Sequence, residues 1–397
     1  METTEAFIGL RCVDCGELFD AADATHRCPE CEGILDPEYD LDALDVSRET
    51  FEARRFDSMW RYEELLPFTR ESAVSIDEGA TALVDAPKLA DELGVGRVLI
   101  KDEGRNPTGT FKDRGQTVAV TAADQHGASD VALASAGNAG QAAAAYAARA
   151  GLDAHVFLPS RSGFTQKAMV NVHGGDMNVV EGRIGDAGAA YEGAMAENPE
   201  WYSVKTFVTP YRHEGKKTML YETVEQLDWA VPDAVVYPTG GGVGLVGMHK
   251  AAKELRELGL TDALPSMYAA QAEGCAPVVR AFEEDRDVHE PWQNPDTICG
   301  GIEIPDPGAS PLVLEALRES DGGAVATSDQ DILDSAITVA QNEGVEMGAT
   351  CAAAASGAWE LAQRGEFDED DTIVLLNTGH GSKDDDVLRS HLMSKGI

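Results

Sequence analysis

The feature that most constrains the fold is an alternation that begins near Leu89 and runs almost to the end of the chain. Short apolar runs at 98–100, 131–134, 155–158, 177–180, 234–237 and 372–376 are bounded by Gly, Pro, Asn or charged residues and read as strands. Between them lie helical stretches rich in small or apolar residues, such as 117–123, 139–150, 218–227 and 245–258. The strand runs are mostly apolar, so the strands are expected to be buried. Strand and helix in turn then imply parallel sheets with helices on both sides. At 397 residues the chain exceeds one average domain. The expectation is an α/β protein with two doubly wound parallel-sheet domains and a small N-terminal segment of another kind.

Charge narrows the partners. Lys+Arg total 31 against Asp+Glu 70, a formal net charge of −39. Nucleic acid and anionic membrane are therefore excluded as main partners. Such a balance destabilises a compact chain through self-repulsion at low salt and suits a salt-rich, halophilic cytosol, where charges are screened within about 3 Å at 1 M. No stretch approaches the roughly 20 apolar residues needed to span a bilayer, and the acidic start Met1-Glu2-Thr3-Thr4-Glu5 is unlike a signal peptide. A cytoplasmic protein is expected.

Seven cysteines suit a disulfide framework poorly, and four are bunched near the N-terminus. Cys12-x2-Cys15 and Cys28-x2-Cys31 form two knuckles, followed by Gly16 and Glu32 where the backbone must fold back. Four thiolates at this spacing can surround one tetrahedral zinc. The segment carries Arg11 and Arg27 against Asp14, Glu17, Asp20, Asp23 and Glu30, so a structural ribbon is expected rather than a nucleic-acid reader.

Three loops carry the chemistry. In Asn106-Pro107-Thr108-Gly109-Thr110-Phe111-Lys112-Asp113-Arg114-Gly115, a lysine stands between a turn-forming run and a helix-like stretch. A lysine at a helix start is ordinarily a surface group; here its flanks place it where an amine can face a cofactor. Gly240-Gly241-Gly242-Val243-Gly244 follows a strand and precedes a helix, so its backbone N–H groups can hold a phosphate dianion without a basic side chain. Gly242-x-Gly244-x-x-Gly247 also fits the dinucleotide fingerprint, but the acidic ribose partner expected about twenty residues on is missing, for 257–261 reads as helix and a Gly-containing turn. Asn138 sits in a Gly-Asn turn after a strand, where a plain turn residue is the alternative.

Together these segments resemble, in order, those of threonine synthases and their relatives, the pyridoxal-phosphate (PLP) enzymes of the tryptophan-synthase β-subunit fold, PLP fold type II. The decapeptide is similar to the segment bearing the Schiff-base lysine, which makes Lys112 that lysine and the base that shuttles the substrate's Cα proton. Ala134-Ser135-Ala136-Gly137-Asn138-Ala139 resembles the loop whose asparagine meets the cofactor's ring oxygen and whose backbone, from Ser135 to Ala139, meets the substrate carboxylate. Gly240 to Gly244 resembles the phosphate loop. Asn377-Thr378-Gly379-His380-Gly381-Ser382-Lys383-Asp384 resembles the C-terminal segment in which Thr378 faces the pyridine nitrogen; a neutral hydroxyl there makes a milder electron sink, suited to eliminations and replacements.

The resemblance covers about 75–386 and implies a division into a zinc-ribbon-like segment at 1–40, a larger PLP-binding domain at 41–124 and 205–397, and a smaller domain at 125–204. It further implies an amino-acid substrate, with O-phospho-L-homoserine converted to L-threonine and phosphate, and suggests a homodimer. Arg212, Lys216 and Lys217 gather cations for the substrate phosphate, Arg212 and Lys217 being the two assigned to bind it; the alternative is a solvated basic helix start.

The sequence departs from the pattern at Ala82 of Glu78-Gly79-Ala80-Thr81-Ala82-Leu83, at Ala139, at Thr206 or Thr209, and in the all-glycine phosphate loop. The last three, unlike Ala82 in place of a proline, remove donors for a substrate phosphate. A threonine or serine dehydratase and a β-replacement enzyme acting on phosphoserine, similar to cysteate synthase, therefore stay open. An inactive protein of this fold that acts as a binding module is the reading of another class.

Overall fold

The structure is a computed structural model and describes every residue except Thr25, Gly396 and Ile397. Strands are numbered along the chain. The first five are β1 (Phe7–Cys12), β2 (Leu18–Phe19), β3 (Leu35–Tyr39), β4 (Leu83–Asp85) and β5 (Arg97–Asp102). Next come β6 (Asp130–Ala134), β7 (Asp153–Pro159), β8 (Asp176–Val180) and β9 (Tyr202–Ser203). The last are β10 (Ala234–Pro238), β11 (Ser266–Ala272), β12 (Gly323–Thr327) and β13 (Thr372–Asn377). Contacts gather the chain into two units, Met1–Ala80 with Lys112–Thr218, and Thr81–Phe111 with Met219–Ile397. Their bounds differ from those of the three-part division expected from sequence, which stands as a proposal.

The first unit holds two sheets. One is parallel, in the order β8-β7-β6-β9. Helices Lys112–Gln125 and Asn138–Ala150 share its core, where Val118, Ala119, Ala122 and Ala123 meet Ala143, Ala144 and Ala147. Alanine suits this layer because it loses no rotamer freedom in a helix and lets neighbouring backbones approach closely. At Gly140 the approach leaves no room at all: a Cβ there would stand 2.4 Å from Val156 Cγ1 on β7. The other sheet is the antiparallel ribbon β2-β1-β3. It is not a detached appendage, because Leu10, Cys12, Cys28 and Leu35 lie in the same buried cluster as Met59, Trp60, Phe68 and Tyr211.

The second unit is built on one sheet in the order β12-β11-β10-β13-β5-β4. All neighbours are parallel except β4, which runs antiparallel to β5 at the edge. Strand β10 is buried at every residue, as a sheet covered on both faces requires. Its apolar side chains join those of β5, β11, β12 and β13 and of helix Ala353–Arg364 in a single core.

The expected runs at 98–100, 131–134, 155–158, 177–180, 234–237 and 372–376 all fall inside strands. One helix begins earlier than expected. The stretch read as 218–227 is helix Arg212–Gln226, and its first turn is buried rather than solvated. The apolar pattern that marks the helix starts only after Lys217, while the preceding charged residues are buried by means of partners described below.

Candidate active site

In the second unit, β10, β13 and β5 are adjacent and parallel, so the loops after them emerge at one edge, the carboxyl edge where open α/β sheets bind ligands. These loops are the glycine run, the Thr378 segment and the decapeptide as far as Phe111. The last two are stitched together. Phe111 N donates to Thr378 O at 3.0 Å, His380 N donates to Gly109 O at 3.0 Å, and Thr110 bridges Gly379. Gly109 takes a left-handed φ of 79°, which an L side chain would strain. Beneath the loop, Asn106 Nδ2 donates to Glu103 Oε2 at 2.8 Å, Thr81 Oγ1 donates to Glu103 Oε1 at 2.7 Å, and Lys101 pairs with Glu222 at 2.8 Å with both side chains fully buried. The residue that precedes Lys112 is thus held on a framework of buried, paired charges.

The glycine run leads into helix Val243–Glu257, whose N-cap is Gly242 at φ 77° with no side-chain cap. The helix therefore offers its first N–H groups to the loop. A Cβ at Gly242 would lie 2.2 Å from Val313 Cγ2, one at Gly244 2.5 Å from the Tyr237 hydroxyl, and one at Gly240 3.0 Å from Ile304, whereas nothing stands within 4 Å of that position at Gly241. The loop is closed on its protein side and open at Gly241, the shape of a backbone cradle for an anion.

Thr378 is buried, and its hydroxyl donates to Cys351 Sγ at 3.3 Å; the Cys351 thiol in turn donates to Gly379 O at 3.3 Å. Burial pushes that thiol up to about 12, so it stays protonated and keeps a hydrogen to donate to Gly379 O. Nearby, Asp384 receives the Thr350 N–H at 3.4 Å, and burial raises its carboxyl to about 6.

In the first unit, Lys112 is the first residue of its helix and half-buried. One turn on, Gln116 is fully buried; its Nε2 donates to Ala139 O at 3.3 Å, and its Oε1 has no hydrogen-bond partner. This contact ties the lysine helix to the Asn138 loop. Sequence reading missed Gln116, although its i,i+4 spacing from Lys112 was the available signal. Asn138 opens helix Asn138–Ala150, and its Oδ1 is likewise buried without a partner. Such an orphan acceptor is costly unless a ligand meets it. Ser135 shapes the loop from within: its N–H donates to Phe157 O at 2.9 Å, and its Oγ receives the N–H groups of Gly137 and Gly140 at 3.0 and 2.9 Å. Asn138 and Ala139 then supply the first N–H groups of the helix to the site.

Arg212, Lys216 and Lys217 are fully buried, not a solvated face. Arg212 Nη1 donates to Val204 O at 2.9 Å. Lys217 pairs with Glu214 at 2.7 Å, both side chains at zero exposure. The first turns of the Lys112 and Arg212 helices touch through glycines, for a Cβ at Gly115 would lie 2.8 Å from Arg212 O and one at Gly215 1.7 Å from Arg114 O. The structure thus brings Arg212 beside the turn that follows Lys112, while Lys217 is engaged with Glu214.

The sulfur atoms of Cys12, Cys15, Cys28 and Cys31 lie within 4.8 Å of one another. Gly16 N donates to Cys12 O and Glu32 N to Cys28 O, with Gly16 and Glu32 in left-handed conformations, so both knuckles fold back as the spacing implied. Burial raises the Cys12 thiol, but the N–H groups of Cys15 and Asp14 and the neighbouring sulfurs outweigh it and bring it down to about 7. Cys31 goes the other way, up to about 12, because its sulfur neighbours outweigh the N–H of Gly33. Cys12 thus ionises more readily than an ordinary thiol and Cys31 less readily.

The family profile for pyridoxal-phosphate dependent enzymes matches residues 74–379. A threonine synthase of Methanosarcina acetivorans is 36% identical over 376 residues, which is 94% of this chain and 92% of that protein. One of Methanocaldococcus jannaschii is 37% identical over 380 residues, 95% and 93% of the two chains. Among solved structures, the diaminopropionate ammonia lyase of Escherichia coli superposes with a TM-score of 0.70 at 17% identity, covering 81% of this chain and 89% of that one. A fungal L-serine ammonia-lyase of Rhizomucor miehei gives 0.69 at 20% identity, covering 81% and 99%. At these identities the two structures speak for the fold alone.

Proposed function

The chain belongs to the family of pyridoxal-phosphate dependent enzymes, and from that premise we propose that it converts O-phospho-L-homoserine and water into L-threonine and phosphate, the threonine synthase reaction. It is a PLP-dependent lyase of fold type II. The observation that carries the reading is the convergence of the glycine cradle, the Thr378 segment and the loop entering Lys112 on one sheet edge, in a chain similar over nine-tenths of its length to threonine synthases.

The residues present suit PLP. Gly240 to Gly244 would hold its phosphate through backbone N–H groups, the buried Asn138 amide would donate through Nδ2 to its ring oxygen, and Thr378 would offer a neutral hydroxyl to the ring nitrogen. When bound, the cofactor supplies an aldehyde for the Lys112 amine and an electron sink for charge that develops at Cα. Lys112 takes the Cα proton and returns it at the end. The N–H groups of Asn138 and Ala139, shaped by Ser135, hold the substrate carboxylate. Arg212 would hold the substrate phosphate and so orient the Cγ–O bond; loss of a Cβ proton then expels phosphate from Cγ, a proton is returned to Cγ to give the methyl group, and water adds its hydroxyl at Cβ. Lys217, paired with Glu214 one turn further along the same helix, is the second cation assigned to that phosphate.

The four-cysteine cluster supports a structural zinc, which would fix the ribbon. The net charge supports a salt-rich cytoplasm as the working environment. Among the described residues no helix is long and apolar enough to cross a membrane. A homodimer is proposed from the resemblance alone. Supplying O-phospho-L-homoserine to the holoenzyme is expected to release phosphate and threonine in equal amounts. Formation of 2-oxobutyrate from threonine, with no phosphate release from O-phosphohomoserine, would replace this reading with a dehydratase.

A further inference from the structure

We propose that the N-terminal ribbon is a positioning element for the substrate-phosphate end of the site, with Asp36 and Tyr39 of β3 setting where Arg212 stands. The proposal rests on the assignment of Arg212 to the substrate phosphate.

Strand β3 is registered directly on the metal-site strand. Leu35 pairs with Cys12, Asp36 with Arg11 and Tyr39 with Phe7. Two of its polar contacts land on the consecutive residues that follow Arg212. His213 Nε2 lies 2.7 Å from Asp36 Oδ1, and the Tyr39 hydroxyl donates to Glu214 Oε2 at 2.6 Å. Glu214 also pairs with Lys217, whose ammonium stands 4.2 Å from the centre of the Tyr39 ring. Asp36 and Tyr39 thus reach across some 175 residues of sequence to grip a single helical turn.

The opposite side of that turn is fixed by backbone. Gly115 and Gly215 let the Arg212 turn lie directly on the turn after Lys112, and Arg114 Nη1 donates to Thr218 Oγ1 at 2.9 Å. Arg212 is therefore held between the ribbon and the lysine helix, with its own Nη1 on Val204 O. Side chains 212, 213, 214, 216 and 217 are at most 2% exposed, so little water is available to replace a lost partner. In such a buried network each charge stands where its partners put it, and removing one shifts the others. A displacement of about 1 Å in a group that orients a substrate costs up to roughly a hundredfold. The ribbon also shares the buried core of the unit, and a metal held by its cysteines would order Cys12 on the strand that pairs with β3.

The test uses the holoenzyme, in which cofactor fills the glycine cradle, and inorganic phosphate as probe. For the Asp36→Asn, Tyr39→Phe double variant, calorimetric phosphate affinity is expected to weaken, and KM for O-phosphohomoserine to rise, by roughly tenfold. The expected kcat, cofactor absorbance and bound metal are unchanged. If the double variant fails to fold, Tyr39→Phe alone is expected to show the same split at roughly threefold. A variant that loses thermal stability but keeps wild-type phosphate affinity and KM would overturn the proposal and reduce the ribbon to a brace. Arg212→Lys distinguishes the two levels: weaker phosphate binding supports the assignment on which the proposal rests, while unchanged binding removes that assignment and the proposal with it.

Discussion

The loop Gly240–Gly244 and the first turn of helix Arg212–Gln226 are each assigned a phosphate, and they are built on opposite physical plans. The glycine loop uses backbone N–H groups and a helix start, with no charged side chain, and walls off its protein side by close packing at Gly240, Gly242 and Gly244. The Arg212 turn buries whole charges and must neutralise them, with Glu214 against Lys217 and with Asp36 and Tyr39 reaching in from β3. A backbone cradle is local and self-sufficient, suited to a cofactor that stays. A buried cation can be aimed at a substrate that comes and goes, but its geometry is only as good as its distant partners.

The largest effect is expected at the lysine. Lys112→Ala should abolish the absorbance band near the visible edge and lower turnover by about a thousandfold or more, with the fold retained by circular dichroism. A variant that kept the band would place the covalent lysine elsewhere. Next comes the cradle. Gly242→Val adds a side chain at φ 77° where Val313 already stands, a strain of about 3 kcal/mol. That corresponds to roughly a hundredfold weaker cofactor retention, read by dialysis against cofactor-free buffer, with phosphate binding at Arg212 untouched once cofactor is saturating. Equal loss of both would deny that the two regions are independent.

In the charged region, Glu214→Gln leaves the buried Lys217 ammonium without its carboxylate and is expected to cost about 3 kcal/mol of stability by urea titration. Cofactor retention should stay at wild-type level; a small cost would mean that the pair is readily solvated. The smallest effect sharpens the comparison near Thr378. Burial holds the Asp384 carboxyl at about 6 in the folded chain against 3.8 for the free group, so the folded state binds the proton more tightly. Its stabilising contribution is therefore complete below about pH 4 and lost as pH rises through about 6. Asp384→Asn should thus gain stability relative to wild type between pH 4 and 7, by an amount on the order of 3 kcal/mol, and stay level below pH 4. No change in the difference across that window would show that the carboxyl is solvated.

The same contrast explains what could be read from the sequence. The buried strands, the cradle and Lys112 are signalled locally, by apolar runs, glycines and a turn that opens a helix, so 234–237 and 240–244 were legible from adjacent residues. The four-cysteine knuckles were legible for the same reason, since Gly16 and Glu32 sit where the fold-back needs them. The burial of Arg212 to Lys217 was not legible, because its cause lies in Asp36 and Tyr39 on another sheet and in Gly115 on another helix. The charged run Lys101-Asp102-Glu103 was opaque in the same way. Lys101 opens the charged run after the apolar 98–100, yet it lies at zero exposure because Glu222 meets it from far along the chain. Gln116 and Cys351 carry no motif; only the contacts with Ala139 and Thr378 give them a place in the site.

The central claim is that phosphate leaves from Cγ and water enters at Cβ. It is tested most directly by running the reaction in heavy-oxygen water and weighing both products. The predicted result is threonine carrying the heavy oxygen in its hydroxyl and phosphate carrying none, since the bond that breaks is carbon to oxygen. Heavy oxygen in the phosphate, with homoserine as the other product, would mean hydrolysis at phosphorus and would contradict it.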